Sequence, residues 1–412
     1  MAEDLSGSQL RSIGDGAGSL LQIIRGGEFV TRPALAAATG LARSTVSQRV
    51  DALIAEGLVY EAGEGPSTGG RPPMVLAFNA RAGVVLVADL GATHCRLAAM
   101  DLDATVLAET ASRLDIELGP ERVLGFVMDR FDQLLAEAGR GIDDVRAIGI
   151  GVPGPVEYGA GRTVAPPIMP GWNGVEIPGI ISQRFPVPVL VDNDVNIMAL
   201  GEYWTDWRNV HRALLFVKVG TGIGAGMIVD GRIHRGAQGT AGDIGHIRLG
   251  DHPDVTCRCG NRGCVEAMAG GAALARQLSG LGYAASGSRD VVALVRDGNP
   301  SAIRLVRQAG RLLGEVLAGI VNFFNPPVII IGGDVAGADQ QLLAGIREVV
   351  YQQSTTLATR HLDLRRSRLD DRAGIMGAAV MVLEHIFAPD VIDRLIEHRE
   401  QEQKSAEATV GV

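Results

Sequence analysis

Cys257-Arg258-Cys259-Gly260-Asn261-Arg262-Gly263-Cys264 is the most specific stretch of this 412-residue chain. It holds three of the four cysteines, and Cys95 stands alone. Cys257 and Cys259 are too close in sequence to bridge without strain. Thiols clustered in this way favour a metal over disulfides. Three thiolates need one more ligand to close a tetrahedral zinc site. His246 is the best candidate; His252 is nearer but lies in a Pro-containing loop. A closed Cys3His zinc site is structural, and it staples a loop that has little core of its own. Three buried free thiols are the alternative, which this spacing disfavours.

On both sides of this stretch, helices and strands alternate. From Gly83 onward the runs 84–89, 95–101 and 106–110 read as strands, and the alternation continues to about residue 385, which indicates an α/β fold. Asp89-Leu90-Gly91-Ala92-Thr93 reads as a hairpin in which Gly91 and Thr93 offer a backbone N–H and a hydroxyl to phosphate. Gly220-Thr221-Gly222-Ile223-Gly224-Ala225-Gly226 follows the apolar run 213–219. Two Gly-rich loops in separate halves suggest a nucleotide in a cleft; either loop alone reads rather as a strand connection with no ligand. Between them, Val191-Asp192-Asn193-Asp194-Val195-Asn196 follows the apolar strand 187–191. Asp194 there suits the acceptance of a sugar hydroxyl proton, as phosphoryl transfer requires. It suits a helix cap equally well.

The first 80 residues are different. Residues 16–26 read as a helix with Leu20, Leu21, Ile23 and Ile24 on its apolar side. Thr31 caps a second helix, Pro33 suits its first turn and Gly40 stops it. A third helix runs from about 43 to 56, with Val46, Val50, Leu53 and Ile54 on one face. Strands at 58–61 and 74–78 flank a Gly/Ser/Pro loop. Three helices and a two-stranded ribbon make a winged helix-turn-helix. Arg43, Ser44, Thr45, Ser47, Gln48 and Arg49 lie on or near the outer side of the third helix, placed for base edges and phosphates, and Arg71 is in the wing. The alternative is a winged helix used only as a protein interface. Residues 1–80 hold six arginines against eight acidic residues. Affinity for DNA therefore points to a dimer that doubles a modest set of phosphate contacts.

The whole chain carries a net charge of −9 and 46% apolar residues, which suits sizeable cores and excludes a disordered chain. Lysine occurs only at 218 and 404. No apolar run is long enough to cross a bilayer, and the first ten residues are polar and acidic, unlike a signal peptide. A cytoplasmic protein is the expectation. The boundaries expected are 1–80 for the winged helix and 81–396 for a two-lobed domain, with lobes at about 81–200 and 201–385. A polar tail at 397–412 is expected to fray.

Taken in order, Asp89-Leu90-Gly91-Ala92-Thr93, Gly151-Val152-Pro153-Gly154-Pro155, Asn193-Asp194, the glycines at 220–226, the run 236–246 and the run 257–266 resemble the ROK family (repressors, open reading frames, kinases) in its repressor form with an N-terminal winged helix. The resemblance spans about residues 20–385. It implies a two-lobed, actin-like ATPase fold with a structural zinc held by His246, Cys257, Cys259 and Cys264. It implies a sugar between the lobes against Gly154, Asn193, Asp194, Asp243, His246 and Glu266, with Trp172 and Asn173 bordering the pocket. In a kinase, ATP and Mg2+ would lie against Gly91, Thr93, Gly220, Thr221, Gly222, Gly332 and Gly333, and Asp194 would be the catalytic base. The family also implies a homodimer or homotetramer. Three positions depart from the kinase pattern: Ala92 replaces a glycine, Asp243 a glutamate and Asp334 a glycine.

The leading expectation is a regulator rather than an enzyme, in which the kinase-like domain senses a sugar or sugar phosphate while the winged helix represses at a double-stranded DNA operator. An active ATP-dependent hexose kinase carrying a DNA-binding domain is the alternative, and a docking platform without a small ligand is a third.

Overall fold

The computed structural model describes residues 16–27, 31–65, 72–250 and 254–410. Arg71 and His252 lie outside them. The chain opens with α1 (Ala17–Gly26), α2 (Arg32–Thr39) and α3 (Arg43–Ala55). Thr31 caps α2 by accepting from the Ala34 N–H at 3.3 Å, and Gly40 ends it in a left-handed conformation. Leu20, Leu21, Leu35, Val46, Val50 and Leu53 are buried where the three helices meet. An antiparallel ribbon of β1 (Val59–Glu64) and β2 (Met74–Phe78) follows. Arg32 ties the unit together, pairing with Asp51 of α3 at 2.7 Å and Glu61 of β1 at 2.5 Å. This is a winged helix-turn-helix.

The next unit begins with β3 (Val84–Leu90), β4 (His94–Asp101) and β5 (Val106–Arg113), then α4 (Pro120–Glu137) and β6 (Val145–Val152). The short strands β7 (Val156–Glu157) and β8 (Arg162–Thr163) pair with each other, and after α5 (Ile177–Ile181) the strand β9 (Val189–Asn193) completes a sheet of order β5-β4-β3-β6-β9. Then come α6 (Asp194–Glu202), β10 (Leu214–Val219), β11 (Ile223–Val229) and β12 (Arg232–Ile233). After α7 (Val265–Ala269), α8 (Gly271–Gly280), α9 (Ser288–Arg296) and α10 (Pro300–Phe324) come β13 (Val328–Gly332), α11 (Asp339–Gln353), α12 (Thr356–Thr359) and β14 (Asp363–Arg366). The second sheet has the order β12-β11-β10-β13-β14.

The two sheets repeat one plan. In each, the first three strands are antiparallel and two more join in parallel. The central parallel strands carry apolar runs: β3 begins Val-Val-Leu-Val-Ala, and β13 reads Val-Ile-Ile-Ile, as strands covered on both faces do. Between the sheets, α6 packs on β10 and β11, and α13 (Ala373–Ile386) packs on β3 and β6. The two helices cross at very short range. A Cβ on Gly377 would stand 1.6 Å from the Ile197 carbonyl oxygen, so only glycine permits this crossing. The result is a two-lobed, actin-like fold with its cleft between the sheets.

The chain ends in α14 (Pro389–Val410), bent 52° from the preceding helix. Helix α14 runs on past residue 396, into the segment expected to fray. Ile392 and Ile396, one helical turn apart, are buried in the same core as α1, and Arg399 pairs with Glu56 of the winged helix at 3.1 Å. Docking therefore stabilises a helix whose sequence alone is too polar to predict one. Among the described residues, no single helix is long and apolar enough to cross a membrane.

Candidate functional site

A cavity of about 680 Å3 lies between the lobes. Gly154, Asn193, Asp194, Asp243, His246 and Glu266, six residues from four separate chain segments, all line it. Asn193 caps α6, its side-chain oxygen accepting from the Val195 N–H at 2.9 Å while its amide donates to the Gly154 carbonyl at 3.1 Å. Of the two roles open for this run, the cap thus belongs to Asn193. Asp194, the first residue of α6, is left to point into the cleft from a nearly buried position. Glu266, at the start of α7, accepts from the Ile223 N–H at 2.9 Å. A Cβ on Gly222 would meet the same carboxylate at 2.3 Å, so Gly222 is needed for close approach to Glu266.

Asp192, buried at the end of β9, organises this corner. One oxygen accepts from the Asn193 N–H at 2.7 Å and from the Asn196 amide at 2.9 Å. The other accepts from Arg235 at 2.8 Å, whose guanidinium also lies 3.6 Å over the Tyr158 ring. Arg235 opens the loop that carries Asp243 and His246, so one ion pair links that loop to Asn193 and Asp194. Sequence reasoning missed Asp192 and Arg235, because neither belongs to a glycine or cysteine motif.

The nucleotide side is less complete. Gly220, Thr221, Gly222 and Gly333 line the cavity, with Asp89 and Ala92. Gly91 and Thr93 are absent from its walls, and so is Gly332, which packs against Phe216 instead. Trp172 and Asn173 do not border the pocket, which corrects that expectation. Trp172 is fully buried in the first lobe, donating to the Ile116 carbonyl at 3.1 Å, and the Asn173 side chain accepts from the Ala165 N–H at 2.8 Å.

One group in the cleft was not foreseen. The Lys218 ammonium donates to Asp194 Oδ2 at 2.5 Å. Burial works against its charge, but the carboxylates of Asp194 and Asp89 outweigh that effect and raise its pKa, so it is cationic at neutral pH. Burial pushes the Asp89 carboxyl up to about 7, partly opposed by Lys218. Its Oδ1 is buried with no hydrogen-bond partner. The sequence held one signal: one of only two lysines stands two residues before a glycine-rich loop.

Beside the cleft, His246, Cys257, Cys259 and Cys264 bring their ligand atoms within 4.8 Å of one another. Cys259 Sγ and Cys264 Sγ are 3.8 Å apart, and His246 Nδ1 is 3.7 Å from Cys257 Sγ. Sulfurs about 2.3 Å from a tetrahedral ion stand about 3.8 Å apart, so the cluster fits a metal ion. Because Nδ1 faces the thiols, Nε2 of His246 is left for the cleft.

On the winged helix, Arg43, Ser44 and Gln48 are exposed on α3, and Thr45, Ser47 and Arg49 are half-buried. Val46 and Val50 face the core. The helix therefore presents one polar side outward, the arrangement that a recognition helix requires.

The family model "ROK family" matches residues 85–385. This chain belongs to the ROK family. A "Winged helix-turn-helix DNA-binding" model matches residues 19–60 of this ROK protein. It is 31% identical to the xylose repressor of Caldicellulosiruptor bescii over 385 residues, covering 90% of this chain and 95% of that one. It is 29% identical to the N-acetylglucosamine repressor of Escherichia coli O6:H1 over 380 residues, covering 90% and 92%. Among solved structures, it superposes on a ROK family transcriptional regulator, a homologue of the E. coli MLC protein, with a TM-score of 0.78 and 26% identity, over 92% of this chain and 98% of that one. A ROK family glucokinase from Streptomyces griseus, solved with glucose and AMPPNP, superposes with a TM-score of 0.63 and 27% identity over 73% of this chain and 99% of the enzyme. The glucokinase matches the cleft domain's share of the chain; the regulator matches nearly all of it.

Proposed function

We propose that this protein is a cytoplasmic, sugar-responsive repressor of carbohydrate-metabolism genes. The observation that carries the reading is the union, in one chain, of a winged helix with a sugar-sized ROK cleft. Relatives named as xylose and N-acetylglucosamine repressors align with both parts. In this reading α3 enters the major groove, with Arg43 and Arg49 suited to guanine or phosphate and Gln48 to adenine. Ser44, Thr45 and Ser47 add hydroxyl contacts, and Arg71 of the wing reaches phosphate or the minor groove. The winged helix is not basic overall, so a homodimer presenting two such helices about 34 Å apart supplies the affinity.

A sugar lies between the lobes. Asn193, Asp194, Asp243 and Glu266 accept from its hydroxyls, His246 Nε2–H donates to one, and Gly154 leaves room for the ring. His246, Cys257, Cys259 and Cys264 hold a structural zinc, which fixes the imidazole from the Nδ1 side. The ion contributes rigidity only.

The sugar acts on DNA affinity through a continuous chain of packed helices. Asn193 and Asp194 begin α6, α6 crosses α13, α13 runs into α14, and α14 packs on α1. Closing the lobes around a sugar moves α13 relative to the first sheet and thereby re-aims the winged helices of a dimer. By linkage, DNA affinity shifts only as far as the sugar prefers one form, typically 1–3 kcal/mol, or about 5- to 150-fold. The test begins with genome-wide mapping of bound DNA, which identifies the operator. Fluorescence titration of that operator with a panel of pentoses, hexoses and their phosphates then reads the response. A sugar that changes operator affinity at least fivefold is expected; an operator affinity indifferent to the whole panel refutes the reading.

A further inference from the structure

A phosphoryl-transfer cleft works with a divalent cation that bridges the phosphates and is held by one or two carboxylates. The residues of this cleft do not fit such a group. Besides Asp243 and Glu266, the carboxylates lining the cleft are Asp89, Asp194, Asp334, Asp370 and Asp371, the last two paired with Arg366 and Arg96. Lys218 is committed to the same place. Its ammonium donates to Asp194 at 2.5 Å, and the charges of Asp89 and Asp334 act on it as well. Asp334 is itself fixed, accepting from the Ser288 hydroxyl at 2.8 Å and pairing with Arg289 at 3.4 Å. It brings a carboxylate, not an anion-binding backbone, to the turn after β13. Ala92 adds a methyl to the opposite wall.

We propose that Lys218 is a tethered counter-ion that takes the place of the divalent cation, and that it makes the ROK cleft of this chain a site for a sugar without a metal–nucleotide partner. A fixed ammonium satisfies Asp194 and disfavours a doubly charged ion beside it, because the two cations repel at short range. It supplies only one positive charge where a triphosphate needs several, and one of its three donors is held by Asp194. The same ion pair places a donor on Asp194 Oδ2, one of the two oxygens open to a general base. Lys218 is thus a specificity-determining residue. It separates sugar binding, which the other side of the cleft retains, from phosphoryl transfer.

The experiment uses the full-length, zinc-loaded protein and titrates it with Mn2+, following free Mn2+ by electron paramagnetic resonance. The cleft-bound fraction is the part that Asp89→Asn abolishes. Wild type is expected to show no such fraction. Lys218→Met, which keeps the volume, and Lys218→Ser, which does not, are each expected to bind one Mn2+ per chain at least tenfold more tightly than wild type. Lys218→Arg keeps the charge and is expected to behave as wild type. The proposal is overturned if wild type holds Mn2+ that Asp89→Asn releases, if both neutral variants fold and gain nothing, or if Lys218→Arg gains as much as Lys218→Met. The wild-type comparison alone stands if the variants do not fold. No readout involves DNA or sugar, so the outcome is independent of the repressor reading.

Discussion

Phe387 is the residue on which the connection between the two domains depends. It sits at the elbow between α13 and α14, 3% exposed. Its ring meets Phe78 of β2 edge-on with centroids 5.4 Å apart, and the Arg25 guanidinium of α1 lies 4.3 Å above it. Truncating a buried Phe to Ala costs about 3–5 kcal/mol. Part of that is the aromatic pair, about 0.5–1.5 kcal/mol, and part the cation–π contact, about 0.5–2 kcal/mol. The two partners that lose contact both belong to the winged helix, so Phe387→Ala should weaken its docking and leave the cleft intact. For a domain of this size 1 kcal/mol moves the melting temperature by about 4–8 °C, so a loss of 3 kcal/mol lowers the winged-helix transition by about 12 °C or more. Differential scanning calorimetry should show an early transition splitting from the main one, while the main transition stays near its wild-type position. In operator titrations the variant should still bind DNA but lose most of its response to sugar. A single, unshifted transition with a full sugar response would refute the claim that α14 and Phe387 couple the two domains.

Further predictions concern the individual sites. Gln48→Ala should cost about 1–3 kcal/mol of operator affinity, or about 5- to 150-fold, and relax specificity at one position. If Arg43 holds a phosphate, Arg43→Ala should also reduce the salt slope of binding by about one. Cys264→Ser, at a fully buried ligand, should abolish stoichiometric zinc in metal analysis and lower the melting temperature of the cleft domain. Glu266→Ala should eliminate the sugar effect on operator binding while basal DNA affinity remains; an unchanged sugar effect would point to a docking platform instead. The pH dependence should reveal Asp89. Its carboxyl is raised from 3.8 to about 7 by burial, so the folded state holds more protons than the unfolded chain between those values. Its contribution is fully present below about pH 4 and is lost as pH rises through about 7, by on the order of a few kcal/mol. Urea unfolding of wild type and Asp89→Asn across that range should diverge in slope.

The legible parts of this protein were those fixed by local chemistry. Thr31 and Gly40 mark the ends of α2 because capping is a property of a few adjacent residues. The Cys3His cluster was readable because soft ligands at short spacing have few other uses, and His246 and the three thiols do converge. Long-range placement was not legible. Trp172 reads equally as a pocket wall and as core, and only the packing of the first lobe decides for core. The helix at the end of the chain could not be read from its polar sequence, since Ile392 and Ile396 pack in the core with α1 and Arg399 pairs with Glu56, more than 300 residues away. Asp192 and Arg235 are 43 residues apart, and no motif connects them.

The geometry also explains how one cleft can serve both chemistry and sensing. A kinase needs lobe closure to bring two phosphate loops and a metal together around the sugar. A sensor needs only that closure move a rigid element that reaches another domain. In this chain the same two central helices suit both demands: α6 starts at the cleft, and α13 leads directly into α14 on the winged helix. The Gly377–Ile197 approach leaves no slack at their crossing, because a packed contact with no space for a methyl transmits displacement. Once closure is harnessed to DNA affinity, retained turnover would discharge the signal by consuming its own effector. The role proposed for Lys218 would remove that conflict, since it would leave the cleft's sugar side and the helix crossing in place while taking away the cation on which transfer depends.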